Sequence, residues 1–131
     1  MELNNNFLAV TNNEYFWDKY TNISIDRLNN ADIRDVFVKV RDYVHKGHRI
    51  LSHPLSGSVK PNETLIKTVF VTKVPDSNGN VDEQSIKLIE NAIMACDKFY
   101  KRDHIYENAY DDFKLVDLGL AESALTGIRG Y

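Results

Sequence analysis

Cysteine is almost absent from this sequence: Cys96 is the only one in 131 residues. An internal disulfide is therefore excluded, and a reducing compartment is the expected setting. Cys96 lies in "IENAIMACDKFY" at helical spacing behind Ile89 and Ile93, on the apolar side. It reads as a buried structural thiol, because a reactive one needs an exposed, electropositive setting. Long apolar runs are missing too, and no stretch approaches the ~20 residues of a membrane span. "MELNNNFLAV" has no basic segment leading into an apolar core, so no secretory signal is expected. There is no basic excess: 16 Lys and Arg against 19 Asp and Glu give a net charge of −3. The cations are scattered, apart from Lys98, Lys101 and Arg102 at the end of an expected helix, which argues against a nucleic-acid partner. Disorder is excluded by the 43% of hydrophobic residues, and the length fits one compact domain over residues 1–131. The expectation is a soluble, cytoplasmic protein with no membrane partner.

Catalytic signatures are also lacking. The G-x-x-x-x-G-K-[ST] phosphate loop, G-x-S-x-G, H-E-x-x-H and paired cysteines do not occur. His45, His48 and His53 lie close in sequence, but a helix end and a strand end put His45 and His53 ~15 Å apart along the chain. Neither a metal nor a cofactor is expected. Asp111 and Asp112 face different sides of a helix and read as solvated, and Tyr15, Phe16 and Trp17 read as packing at the core edge, which Tyr106 and Tyr110 extend.

What the sequence does contain is a run of well-punctuated elements. "FLAVT" (residues 7–11) reads as a buried strand, and "NNEYFWDKY" as a helical turn capped by Asn12 or Asn13. "NISI" (residues 22–25) reads as a second strand. From an Asn30 cap, Ile33, Val36, Phe37, Val40 and Val44 recur at helical spacing, and Gly47 stands where a left-handed residue ends a helix. "HRILSH" and "LIKTVFVTK" (residues 65–73) read as an antiparallel strand pair, because eleven residues with two prolines between them do not allow a crossover helix. A helix opens at Asp82 and Glu83, another covers "YENAYDDFKLVDLGLAESAL" with Gly119 as a weak point, and "TGIRGY" reads as a frayed tail. The order is β-α-β-α-β-β-α-α. It predicts a single layered α/β domain with a mostly parallel sheet and one antiparallel strand pair.

The densest chemistry lies in "HPLSGSVKPNET", residues 53–64. Ligands of open α/β sheets sit beyond the carboxyl ends of the strands. There the topology brings Asn12 and Asn13, Ser52 and His53, and Glu63 and Thr64 toward one edge. Ser56, Gly57 and Ser58 offer hydroxyls and close-approaching amides for a small anion, Lys60 adds charge, and His53 offers an imidazole that can donate or accept a proton. The candidate ligand-binding set is Asn12, Asn13, His53, Ser56, Gly57, Ser58, Lys60, Asn62, Glu63 and Thr64. A rigid structural loop, in which Ser and Asn side chains bond the backbone and prolines stiffen the chain, accounts for the same composition.

The stretch "RDYVHKGHRILSHPLSGSVKPNET", residues 41–64, resembles the signature region of the GrdX family, and "LAVTNN" resembles its opening. The match runs through His53, Pro54, Leu55, Ser56, Gly57 and Ser58, then Lys60, Pro61, Asn62, Glu63 and Thr64. The resemblance implies an accessory role beside the glycine, sarcosine and betaine reductases of amino-acid-fermenting anaerobes, and it supplies no reaction. Three readings follow. One is an accessory protein binding a small anionic metabolite. Another is a small enzyme acting on a phosphorylated or carboxylate substrate, with His53 as acid–base. The third is a module docking on a reductase subunit. A homodimer is the commonest assembly for such a domain.

Overall fold

A computed structural model describes residues 6–55, 65–99 and 109–128. The elements are β1 (Phe7–Thr11), α1 (Glu14–Lys19), β2 (Ile25–Arg27), α2 (Ile33–His45), β3 (Thr68–Thr72), α3 (Glu83–Phe99) and α4 (Ala109–Ile128). The sheet order is β2-β1-β3, with β1 parallel to β2 and antiparallel to β3.

Side-chain alternation along β1 and β3 explains the layering. On one face Val10, Val69 and Val71 join Ile33, Val36, Phe37, Val40 and Val44 of α2, together with Ile89, Ala92, Ile93 and Cys96 of α3. On the other face Phe7, Ala9 and Phe70 meet Phe16 of α1 and Ala121 and Leu125 of α4. With helices on both faces, a strand needs apolar residues at every position, and "FLAVT" and "TVFVT" supply them except at their Thr ends. The Phe70 ring meets Phe7 and Phe16 edge-on, each at 5.8 Å between centroids.

The expectation of a mostly parallel sheet is corrected to a mixed one with a single parallel pair. The expected third strand, "HRILSH", is reduced to a bridge between Ile50 and Val71, antiparallel to β3. Leu51 N donates to Phe70 O and Thr72 N to Arg49 O, so the segment does lie along β3. Side chains then take over the ladder at both ends. The Ser52 hydroxyl accepts from Phe70 N at 2.9 Å, and the Thr72 hydroxyl accepts from Arg49 N at 2.9 Å. Hydroxyls that satisfy backbone groups locally compete with strand pairing. The outward amide of Ile50 is not left bare, because Ser85 Oγ of α3 accepts it at 2.9 Å.

Other boundaries moved for similar reasons. The α2 cap is Asp32, whose carboxylate accepts from Asp35 N while Asp35 reciprocates to Asp32 N, and Asn30 instead takes a left-handed turn at φ +55°. Gly47 has φ +107°, as its place after α2 predicts, and an added Cβ would approach Asp76 N to 3.1 Å. α4 continues through Gly119 to Ile128, so "TGI" belongs to the helix. Strand 2 is displaced from residues 22–25 to Ile25–Arg27, and Cys96 is buried as expected. Among the described residues no helix is long and apolar enough to cross a membrane.

Tyr43 of α2 donates its phenol to Asp26 Oδ2 of β2 at 2.6 Å, joining a helix to the edge strand. Burial, and then this bond and the Asp26 charge, push its pKa up from 10.0 to about 12. The unfolded chain ionises Tyr43 near 10.0 and the folded one only near 12, so this contribution is complete below the first value and lost as pH climbs toward the second. In urea unfolding across pH 9–12, Tyr43→Phe is expected to remove that part of the alkaline decline; an identical slope in both proteins refutes the assignment.

Candidate functional site

The carboxyl end of β1 runs into three consecutive polar residues, Thr11, Asn12 and Asn13, all buried. Buried polar groups must find partners, and these three organise the surrounding segments. The Asn12 amide donates to Ala31 O at 2.9 Å and to Leu65 O at 2.7 Å, and its oxygen accepts from Lys67 N at 2.9 Å. One side chain thus fixes both the segment leading into α2 and the start of the segment leading into β3. It also explains why the strand expected over residues 65–73 begins only at Thr68: Asn12 occupies the backbone groups a ladder would use.

Asn13 caps α1 by accepting from Tyr15 N at 3.0 Å, and it donates to Lys114 O and to Asp117 Oδ2 of α4, each at 3.0 Å. Asp117 is 3% exposed. It also accepts from Thr68 N at 3.0 Å and from the Thr68 hydroxyl at 2.7 Å. The direction of the remaining bond follows. Thr68 has one hydroxyl proton and gives it to Asp117, so in the 2.6 Å contact between Thr11 and Thr68 the donor is Thr11. Thr11 in turn accepts from Asn13 N at 2.9 Å. A directed chain therefore runs from the Asn13 amide through two hydroxyls to the Asp117 carboxyl.

Lys67, the residue between these two networks, is 6% exposed. Burial lowers its pKa from the usual lysine value, and the Asp117 charge acts in the opposite direction. Ser52 sits on β3 through Phe70 N, as described, and Pro54 is buried. His53 is exposed, and its Nδ1 accepts from Leu55 N at 3.1 Å, which places the proton of the neutral ring on Nε2.

Of the residues singled out by sequence, Asn12, Asn13 and His53 fall within the described structure, while Ser56, Gly57, Ser58, Lys60, Asn62, Glu63 and Thr64 lie outside the described residues. Asn12 and Asn13 are brought together with Leu65 and Lys67, the residues with which the described chain resumes after residue 55. Both donor hydrogens of each amide are engaged inside the protein. Sequence reasoning missed Lys67, Thr68 and Asp117. A signal for Asp117 was available: it heads the stripe Asp117, Ala121 and Leu125 at four-residue spacing, the face of α4 that is buried. Among the described residues no group of three His, Cys, Asp or Glu side chains is placed to hold a metal ion.

The arrangement is that of a small α/β protein with a polar strand edge organised by buried side chains. Residues 8–126 match the family model described as GrdX-like protein, and the chain belongs to that family. The curated proteins and the solved structures contain no match to it.

Asp117→Ala removes the acceptor for Thr68 N, the Thr68 hydroxyl and the Asn13 amide together. At roughly 1–3 kcal/mol for each buried group left unpaired, a loss of about 3 kcal/mol or more is expected in urea unfolding. Asp111→Ala, on the exposed side of the same helix, is the control, with a change within about 0.5 kcal/mol. Equal small effects in both variants contradict the role given to Asp117.

Proposed function

We propose that the protein is an accessory protein of the glycine reductase system that binds a small anionic metabolite where residues 53–64 meet the carboxyl edge of β1. The observation that carries this reading is the Asn12 side chain. It ties Ala31, Leu65 and Lys67 to the end of the strand that pairs in parallel with β2, the edge at which α/β sheets take ligands. Asn12 and Asn13 shape the edge, and Ser56, Gly57, Ser58 and Lys60 contact the anion with amides, hydroxyls and charge, alongside Asn62, Glu63 and Thr64. Family membership supports the accessory role through the resemblance of residues 41–64, and the cytoplasm is its setting. Glycine, betaine and acetyl phosphate, the carboxylates and phosphates of that chemistry, are the ligand class.

A second reading, a small enzyme acting on a phosphorylated or carboxylate substrate, is favoured by the exposed imidazole of His53 with its Nε2 proton available. A third, docking on a reductase subunit or on a second copy, is favoured by Leu115 and Val116, exposed side by side on α4.

Thermal unfolding with phosphate, sulfate, acetyl phosphate, glycine and betaine separates these readings. A ligand at a hundred times its Kd stabilises by about 2.7 kcal/mol, a rise of roughly 6–12 °C at this size. The rise is expected in the wild type and in His53→Gln, and lost in Lys60→Ala. No rise with any of the five compounds refutes the metabolite site. Binding kept in His53→Gln alongside a ~10²-fold or greater loss of turnover favours the enzyme.

A further inference from the structure

A helix on the surface of a folded domain ordinarily turns its charges to water and its apolar side to the core. α2 and α3 follow this rule, with Asp35, Asp42, Glu83, Lys87 and Asp97 among their exposed residues. α4 reverses it. From Leu115 to Ile128 its only charges are Asp117, which is buried, and Glu122, which is held by Lys19 and Tyr20. The exposed positions of the same span are Leu115, Val116, Gly119, Ser123, Thr126 and Gly127, and none is charged. Leu115 and Val116 are 58% and 51% exposed. The chain's own described packing does not call for Gly119 or Gly127. Neither has a positive φ, and an added Cβ at either would meet nothing within 4 Å. Glycine inside a helix is nonetheless unfavourable relative to alanine.

We propose that this face of α4 is the contact surface for α4 of a second copy, the two helices lying antiparallel about a two-fold axis. Gly119, Ser123 and Gly127 recur every four residues and form a furrow, and Val116 and Leu120 form the ridge beside it. A two-fold axis sets each ridge in the furrow of the other copy, at a crossing angle of about −50°. The face is complementary to itself, as an isologous contact requires. Charge selects the direction. Asp111 and Asp112 lie at one end of α4 only, so a parallel pair would bring the two acidic ends together. The antiparallel pair holds them roughly 25 Å apart along the axis, by the rise per residue, which is beyond the screening distance. The Lys19–Glu122 and Lys114–Glu14 pairs border the face as a polar rim. One helix from each copy buries less than the ~1,200 Å² of a standard interface, so the dimer is weak and reversible. The inference rests on the docking reading of Leu115 and Val116, commits it to one occupant, and is independent of the metabolite site.

The experiment is sedimentation equilibrium of the full chain from micromolar to millimolar protein, with methyl spectra of leucine and valine over the same range. A monomer–dimer equilibrium is expected, with concentration-dependent shifts at Leu115, Val116 and Leu120 and none at the buried Val69 and Val71. Two variants separate charge from shape. Val116→Glu adds a charge to the ridge, and Gly119→Gln combined with Gly127→Gln fills the furrow without one. Each should weaken dimerisation at least tenfold. At low concentration the glycine variant should melt at or above the wild-type temperature, because its helix propensity rises and nothing in its own chain is displaced. A protein that stays monomeric at every concentration overturns the second copy as occupant and leaves the face to a different protein. A dimer whose shifts lie away from α4, or whose affinity is unchanged in both variants, overturns the α4 contact. A glycine variant that melts below the wild type overturns the furrow, because its glycines then serve the chain itself. The wild-type spectra locate the contact even if Val116→Glu fails to fold. None of these outcomes depends on anion binding, so the metabolite reading stands or falls separately.

Discussion

One buried carboxyl organises this structure. Asp117 is withdrawn from water at the middle of the sheet's polar edge and accepts three hydrogen bonds, two from Thr68 and one from Asn13. A buried acid whose partners are incomplete is strongly destabilising, so the positions of α4, the first residue of β3 and the cap of α1 are specified together. The two threonines make the arrangement directional, because each hydroxyl has a single proton to give. At the surface the same helices are joined again by Lys19 and Tyr20 to Glu122, and by Lys114 to Glu14. Those exposed pairs contribute little individually. The buried carboxyl sets the register that they follow.

The sheet is small, with three strands of three to five residues, and it is covered on both sides. That geometry accounts for the low tolerance of its strands for polar residues and for the placement of polar chemistry at their ends. Thr11, Asn12 and Asn13 follow the last apolar residue of β1, and Lys67 and Thr68 precede the first of β3. Because β1 and β3 are antiparallel, the end of one strand lies beside the start of the other, and two short polar runs 57 residues apart, judged by Thr11 and Thr68, become one cluster. The far edge is managed differently. Ser52, Thr72 and Ser85 side chains replace backbone partners there, which reduces the expected strand over "HRILSH" to a bridge and leaves little free ladder for another chain to join.

Rigid and chemical parts of the proposed site are separated along the chain. Asn12 and Asn13 have all their amide hydrogens committed within the protein and act as framework. Lys67 is buried beside that framework, which holds its backbone amide, while in the proposed function the hydroxyls and glycine that suit an anion come from the sequence preceding Leu65.

Much of this was readable from residues alone. Continuous apolar runs located β1 to the residue and the core of β3, and helical periodicity with Gly47 located α2 and its end. The apolar stripe placed Cys96 in the core, and the family signature in residues 41–64 agreed with the match over residues 8–126. These features depend on short-range geometry, where the period of a helix or strand dictates which side chains share a face. Other features depend on side chains meeting across long separations, which local pattern does not encode. Ser52 and Thr72 cut short an expected strand by taking its backbone partners, and Asn12 delayed the start of another. Lys67 and Asp117 were not singled out by local pattern, because only the antiparallel pairing of β1 with β3 and the docking of α4 bury them. The sequence by itself determined the elements and their buried faces; the tertiary structure decided which polar residues those faces would enclose.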